Sequence, residues 1–268
     1  MYSISYKLLR SLPAACPLCG LRARGGDLCV GCALDLLSPL NDRARCQRCF
    51  EAVAVPAQAE GAVVPPTPTI FHTQVPPPVV QCSRCASHPP AYASLVAAIE
   101  YTYPGDMLIQ RFKEGARLAY AGMFARLLWS RLQTRSGSCQ ALVPLGALVP
   151  IPSSQSALRR RGFNPANELA RELARLSGYP LRQRWLTRTR EACTQKTLDA
   201  RARRESVAGL YACPYAVPNV WVGVVDDVVT TGSTLHIAAI ALLSAGAAGV
   251  VGLAAAHTPR TWQNDTYD

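Results

Sequence analysis

An export signal is missing from the start of this 268-residue chain. Met1 to Leu12 has neither a long apolar stretch nor a small-residue cleavage site, so the protein is expected in the cytoplasm. A membrane span is missing too. Ile237 to Ala256 carries no charge, but it is mostly Ala and Gly, broken by Ser244, Gly246, Gly249 and Gly252, and is weakly apolar for a span. It reads instead as a helix over about Ser233 to Ala245, a stop at Gly246 and a strand over about Gly249 to Ala256. Acids are scarce: 17 Asp and Glu stand against 28 Lys and Arg, a net charge of +11. Nothing in the N-terminus implies the oxidising compartment that a disulfide framework needs, so the cysteines are expected to bind metal.

Cysteine is what the chain has in excess, with eleven. Eight form four C-x-x-C pairs: Cys16/Cys19, Cys29/Cys32, Cys46/Cys49 and Cys82/Cys85. Two thiolates two residues apart grip one metal from a tight turn, and two such knuckles complete a tetrahedral Zn²⁺ site. Nine residues separate Cys19 from Cys29, and thirty-two separate Cys49 from Cys82. Two sequential Cys₄ sites are the simpler arrangement; a crossed one, with Cys16/Cys19 sharing a metal with Cys46/Cys49, stays open. Neither leaves an obvious open coordination position, so the metal is expected to serve folding. Cys139, Cys193 and Cys213 are unpaired and read as ordinary thiols.

Residues 51–80 are rich in Ala, Val, Pro and Gln and predict a flexible excursion from a zinc module spanning 1–90. Residues 91–268 alternate strand and helix. Tyr92 to Tyr103 reads as extended, Met107 to Arg135 as helical, and about Ala147 to Ile151 as a strand. Asn164-Pro165 opens a helix that Gly178 stops. Right-handed crossovers then predict an α/β domain with a doubly wound, mostly parallel sheet.

Val220 to Leu235, VWVGVVDDVVTTGSTL, combines a buried strand with Asp226 and Asp227 toward its carboxyl end, where open α/β sheets bind ligands. Thr230, Thr231, Gly232, Ser233 and Thr234 follow, offering hydroxyls and backbone N–H groups at a helix start, with Gly232 permitting close approach. Carboxylates beside an anion cradle need another role, such as ribose hydroxyls or a bridging Mg²⁺. Basic charge gathers elsewhere: residues 159–204 carry thirteen Arg or Lys against four Asp or Glu. Arg159, Arg160, Arg161 and Gly162 follow a strand and could meet a pyrophosphate, while Lys196, Arg203 and their neighbours lie in a polar connection that could fold over a ligand. Clustered cations point to a polyanion.

VVDDVVTTGSTL resembles the phosphoribosyl pyrophosphate (PRPP) motif of type I phosphoribosyltransferases, in which the segment here spanning Val228 and Val229 to Thr234 belongs to the binding loop. Together with CPLCG and CVGC, IQRFKEG (109–115), VPIPSSQSALRRRGFNPANELA and TQKTLDARARRESVAGLY, it is similar to the ComF family over nearly the whole chain. Ser206 stands where that family has asparagine, and Ser153-Ser154 where it has Leu-His. The resemblance implies a type I phosphoribosyltransferase domain behind a zinc ribbon. PRPP would be bound with Mg²⁺, and pyrophosphate displaced from ribose C1. Asp226 and Asp227 would hold the ribose hydroxyls and residues 230–234 the 5-phosphate. No cysteine follows Met1 to serve as a glutaminase nucleophile, and no residue set identifies an acceptor. The family's link to competence implies a second possibility, single-stranded DNA held by the basic segment, with Phe163, Tyr179, Trp185 and Tyr211 available for base stacking.

Overall fold

The valine run from Val220 is where the sheet is densest. In the computed structural model, which describes residues 12–41, 44–53, 80–114, 118–137, 144–189 and 209–260, it becomes the longest pair of strands with the segment after Gly246. The elements in chain order are β1 (Pro13–Ala15), β2 (Arg22–Arg24), α1 (Val30–Asn41), α2 (Ser83–Ser87), β3 (Ser94–Glu100), α3 (Gly105–Glu114) and α4 (Leu118–Gly137). They continue with β4 (Leu145–Pro150), α5 (Gln155–Arg161), α6 (Pro165–Ser177), β5 (Thr187–Arg188), β6 (Tyr211–Ala212), β7 (Trp221–Val229), α7 (Ser233–Ser244) and β8 (Gly249–His257).

β3, β8, β7 and β4 form one sheet in that order, every pair parallel. Alternate side chains feed two cores, because successive residues of a strand point to opposite faces. Val225, Leu148 and Leu253 pack with Leu108 and Phe112 of α3, Phe124 and Leu128 of α4, and Leu169 and Leu173 of α6. Val222, Val224, Val149 and Ala254 face Leu235, Ala238 and Leu242 of α7 on the other side. The expected doubly wound, mostly parallel α/β sheet is therefore present. Gly223 lets the layers close: a Cβ there would meet Leu148 at 2.8 Å and Leu145 at 2.9 Å.

Of the expected helix over Met107 to Arg135, the described residues are helical on both sides of 115–117, as α3 and α4; residues 115–117 lie outside the described residues. α6 starts as expected: Asn164 accepts from Ala166 N at 3.1 Å, and Gly178 ends the helix in the left-handed region at φ 78°. Ile237 to Ala256 divides into α7 and β8 as expected, and among the described residues no helix is long and apolar enough to cross a membrane.

The cysteine-bearing segments dock directly on this sheet. Leu36 of α1 joins the first core, and Leu40 and Phe50 join the second. Gln47 accepts from Leu95 N at 3.2 Å, partly covering the open edge of β3.

Candidate functional site: the carboxyl edge of the sheet

The acids reach the carboxyl edge because β7 alternates. Val222 to Val225 are buried, then Asp226 and Asp227 follow. The strand runs two residues further than the sequence suggested, to Val229. Val228 and Val229, read from the sequence as part of the binding segment, are the last two residues of β7, and their side chains pack against the two cores. Their backbones carry the ladder to Ala256 and His257 of β8.

Asp226 is 8% exposed. Burial, and then the charge of Asp227, push its carboxyl well above the usual range. Its Oδ1 accepts from Asp227 N at 2.8 Å, while Asp227 Oδ1 accepts from Val228 N at 2.9 Å. Asp227 Oδ2 meets Lys113 Nζ at 3.0 Å. Lys113, on the last turn of α3, is a member of this site that its separation of more than a hundred residues hid from a local reading; IQRFKEG was the available signal. Tyr211 stands close by, with burial and the Asp226 charge raising its hydroxyl against the nearby Arg188 cation, to about 12.

Beyond β7 the chain turns through Thr230 and Thr231, both exposed, to a buried Gly232 at φ 75°, which caps α7. The Thr231 and Ser233 hydroxyls are 2.8 Å apart, and Ser233 N donates to Thr231 Oγ1 at 3.4 Å. His236 N gives the first helical bond to Gly232 O at 2.9 Å. Acids, hydroxyls and a helix start are thus contiguous, as expected. Tyr92, 2% exposed, lies behind the turn and was not foreseen: a Cβ on Gly232 would run into its hydroxyl.

The segment after β4 leaves from the same edge, with Ile151 N bonded to Val225 O at 2.8 Å. Ser153 Oγ donates to Asn164 Oδ1 at 2.8 Å and Asn164 Nδ2 to Ile151 O at 2.9 Å, which fixes the base of this excursion. Arg159, Arg160 and Arg161 form the last turn of α5, and Gly162 is its left-handed cap. Cations there also suit the negative helix end. Arg159 and Arg160 are exposed. Lys196 and Arg203 lie outside the described residues. The four aromatics considered for base stacking are engaged in packing: Phe163 on Phe112, Tyr179 on Trp129, Trp185 beneath Arg182, and Tyr211 buried beneath Arg188.

The eight paired cysteines make two groups, Cys16, Cys19, Cys29 and Cys32, and Cys46, Cys49, Cys82 and Cys85, each with all its sulfurs within 4.8 Å of one another. Pairing is sequential and the crossed arrangement is excluded. Cys19 and Cys29 Sγ are 3.6 Å apart, as are Cys49 and Cys82 Sγ. Tetrahedral Zn²⁺ with bonds of about 2.3 Å sets its sulfurs about 3.8 Å apart, so both groups fit the ion. The thiols hold their protons unequally: a hydrogen bond from Cys49 pushes Cys46 down to about 4 despite burial, while burial raises Cys85 to about 12. Four thiols this close share their negative charge poorly unless a cation sits among them.

The two groups are copies. Gly20 N bonds Cys16 O and Phe50 N bonds Cys46 O, at 3.0 and 2.8 Å; Cys16 N bonds Leu21 O and Cys46 N bonds Glu51 O, at 2.7 and 2.8 Å. Ala33 N to Cys29 O and Ala86 N to Cys82 O, both 3.0 Å, complete the correspondence.

No protein-family model matches the chain. Among solved structures, a purine phosphoribosyltransferase from Pyrococcus horikoshii covers 51% of this chain and 82% of its own at 15% identity and TM-score 0.27. A Trypanosoma cruzi hypoxanthine phosphoribosyl transferase covers 61% and 83% at 13% identity and TM-score 0.32. At such scores the sheet itself, not the superposition, defines the fold class. Curated relatives are nearer. The DNA utilization protein YhgH of Salmonella typhimurium is 34% identical over 173 residues, 65% of this chain and 76% of that protein. Competence protein F of Haemophilus influenzae is 31% identical over 158 residues, 58% and 69%. Competence protein ComFC of Bacillus subtilis is 36% identical over 104 residues, 39% and 41%. With paired cysteine knuckles ahead of a parallel sheet and this extent of identity, the chain belongs to the ComF family.

Proposed function

We propose that the carboxyl edge of the sheet binds PRPP, or a related ribose 5-phosphate ligand, and that the protein is a phosphoribosyltransferase-family member able to exchange pyrophosphate at ribose C1. The observation that carries this reading is the contiguity of Asp226 and Asp227 with the Thr230 to Thr234 turn at the head of α7. The hydroxyls of Thr230, Thr231, Ser233 and Thr234 and the turn's N–H groups surround a 5-phosphate. The acids face the ribose. Asp226, held above the ordinary carboxyl range, can carry a proton and so donate to a ribose oxygen as well as accept from one. Lys113 fixes the orientation of Asp227.

The acids' partners bear on how Mg²⁺ would sit at this edge. Asp226 Oδ1 and Asp227 Oδ1 already accept backbone N–H groups, and Asp227 Oδ2 faces Lys113. The acids are therefore not a ready-made cage, and Asp226 and Asp227 would contact an ion bound with PRPP indirectly rather than as a closed ligand set. Bound with PRPP, Mg²⁺ supplies charge neutralisation for the leaving pyrophosphate, a task shared by Arg159, Arg160 and Arg161 if α5 closes on it, with Lys196 and Arg203 as further contacts. PRPP with Mg²⁺ should raise the unfolding midpoint, and Asp226→Ala with Asp227→Ala should abolish the rise. No rise in the parent protein ends this reading.

A second role is favoured by the names of the relatives, DNA utilization and competence, and by the exposed Arg159 and Arg160 within a strongly basic stretch. Single-stranded DNA would then be held through its phosphates, since the aromatics are committed to packing. Affinity for an oligothymidylate should fall steeply with salt and survive the double Asp change. Absent or salt-insensitive binding removes this role. Both readings suit a cytoplasmic protein with a zinc module over 1–90 and its ligand-binding domain over 91–268.

A further inference from the structure

Residues 90–92 stand between the second cysteine group and the turn that heads α7, and they touch both. On the cysteine side, Arg48 Nη1 donates to Pro90 O at 3.4 Å. Phe50, which follows Cys49, lies in the same core cluster as Tyr92. On the other side, Ala91 N donates to His236 Nδ1 at 2.9 Å, one turn into α7. The Tyr92 hydroxyl fills the space that Gly232 leaves by having no side chain. Val229 and Leu235, which flank the turn, pack in that same cluster. The first cysteine group is attached elsewhere: Asp27 pairs with Arg126 of α4, Arg111 Nη1 donates to Pro17 O at 2.6 Å, and Gly26 abuts Ala119.

We propose that Tyr92 is a positioning residue which ties the shape of the 230–234 turn to metal on Cys46, Cys49, Cys82 and Cys85, so that this group and not the first one governs affinity for the phosphate ligand. The inference rests on reading the turn as the phosphate cradle. A filled second group fixes residues 44–53 and 80–87, these fix residues 90–92, and Tyr92 backs Gly232 at the residue where loop becomes helix. Coupling of this kind is reciprocal: what the metal does for the ligand, the ligand does for the metal.

Reciprocity supplies the experiment. The full chain carrying two zinc ions is challenged with a colorimetric chelator, with and without saturating PRPP and Mg²⁺, while PRPP affinity is measured by calorimetry. PRPP should slow release of one zinc ion about tenfold and leave the other unchanged. A Cys19→Ser, Cys29→Ser variant, which keeps only the second group intact, should retain that protection. Tyr92→Phe should still bind two zinc ions, lose the protection and bind PRPP about tenfold more weakly. Gly232→Ala should bind PRPP poorly, and adding Tyr92→Phe should recover part of the loss, because the new methyl no longer meets a hydroxyl. Absence of PRPP binding by the parent overturns the cradle itself. Binding without selective protection, or protection that persists in Tyr92→Phe, overturns the coupling and leaves the cradle standing.

Discussion

The two cysteine groups share ligands, spacing and hydrogen bonds, yet one residue sets them apart. After its second cysteine each knuckle places a residue in the left-handed region: Gly20 at φ 74° in the first and Phe50 at φ 69° in the second. Gly20 is the inexpensive choice, and a Cβ there would meet nothing within 4 Å. Phe50 accepts a strain of about 1 kcal/mol and uses it. Its ring is 2% exposed, stands edge-on to His257 at 5.8 Å and lies under the Arg45 guanidinium at 5.5 Å. Arg45 in turn pairs with Glu100 at 2.6 Å. Phe50, Arg45 and Glu51 thus fasten the second knuckle to the carboxyl ends of β3 and β8, beside the candidate site. The difference teaches that a repeated metal motif takes its role from what it is packed on rather than from its ligands.

Five experiments bear on that contrast. The largest effect belongs to the ligands: Cys46→Ser with Cys85→Ser should lower the unfolding midpoint much more than Cys16→Ser with Cys19→Ser, because the second group is tied into the sheet core. Equal losses, read by scanning calorimetry at matched zinc, would erase the distinction. Phe50→Gly should come next, costing about 3 kcal/mol in denaturant titration, the loss of a buried ring less the relieved strain. Gly20→Ala, by contrast, should cost only about 1 kcal/mol, from its backbone alone.

His257 sharpens the contrast through pH. Burial, with the Arg45 charge nearby, lowers it to about 4 from an ordinary 6.5, so the folded protein keeps it neutral. As pH falls below about 6.5 the unfolded chain gains a proton that the fold refuses. Stability is therefore lost between about pH 6.5 and 4, by on the order of 3 kcal/mol. His257→Gln should flatten that part of the profile; an unchanged slope would show that the packing around Phe50 does not exclude the charge. The smallest effect is expected at the first group, where Arg111→Ala removes one exposed contact to Pro17 O and should cost under about 1 kcal/mol.

Much of this molecule was legible because its signals are local. Four C-x-x-C pairs, a valine run ending in two acids, and an Asn-Pro helix start each carry their meaning within a few residues, and the structure brings each together as read. What stayed hidden depends on contacts across the chain. Lys113 and Asp227 meet because α3 lies across the end of β7; nothing near either residue encodes the pair. Tyr92 read only as part of an extended stretch, since its role needs Gly232 from the far end of the sheet. That arginines 159–161 follow a strand was legible, but the short helix carrying them, which Gly162 caps, was not. Val228 and Val229 join the motif to the sheet: they end β7, and the turn follows directly.

Asp226 carries a consequence for the protein's history. A carboxyl buried beside a second one is disfavoured once ionised, so its stability contribution declines as pH rises from the ordinary carboxyl range through its elevated folded value. Asparagine fits the same space without that charge. A library of variants screened for heat resistance alone would replace Asp226 early, and a lineage that no longer needed the ligand would drift the same way. The acid at this edge thus costs the fold durability at neutral pH, a cost that asparagine would not carry.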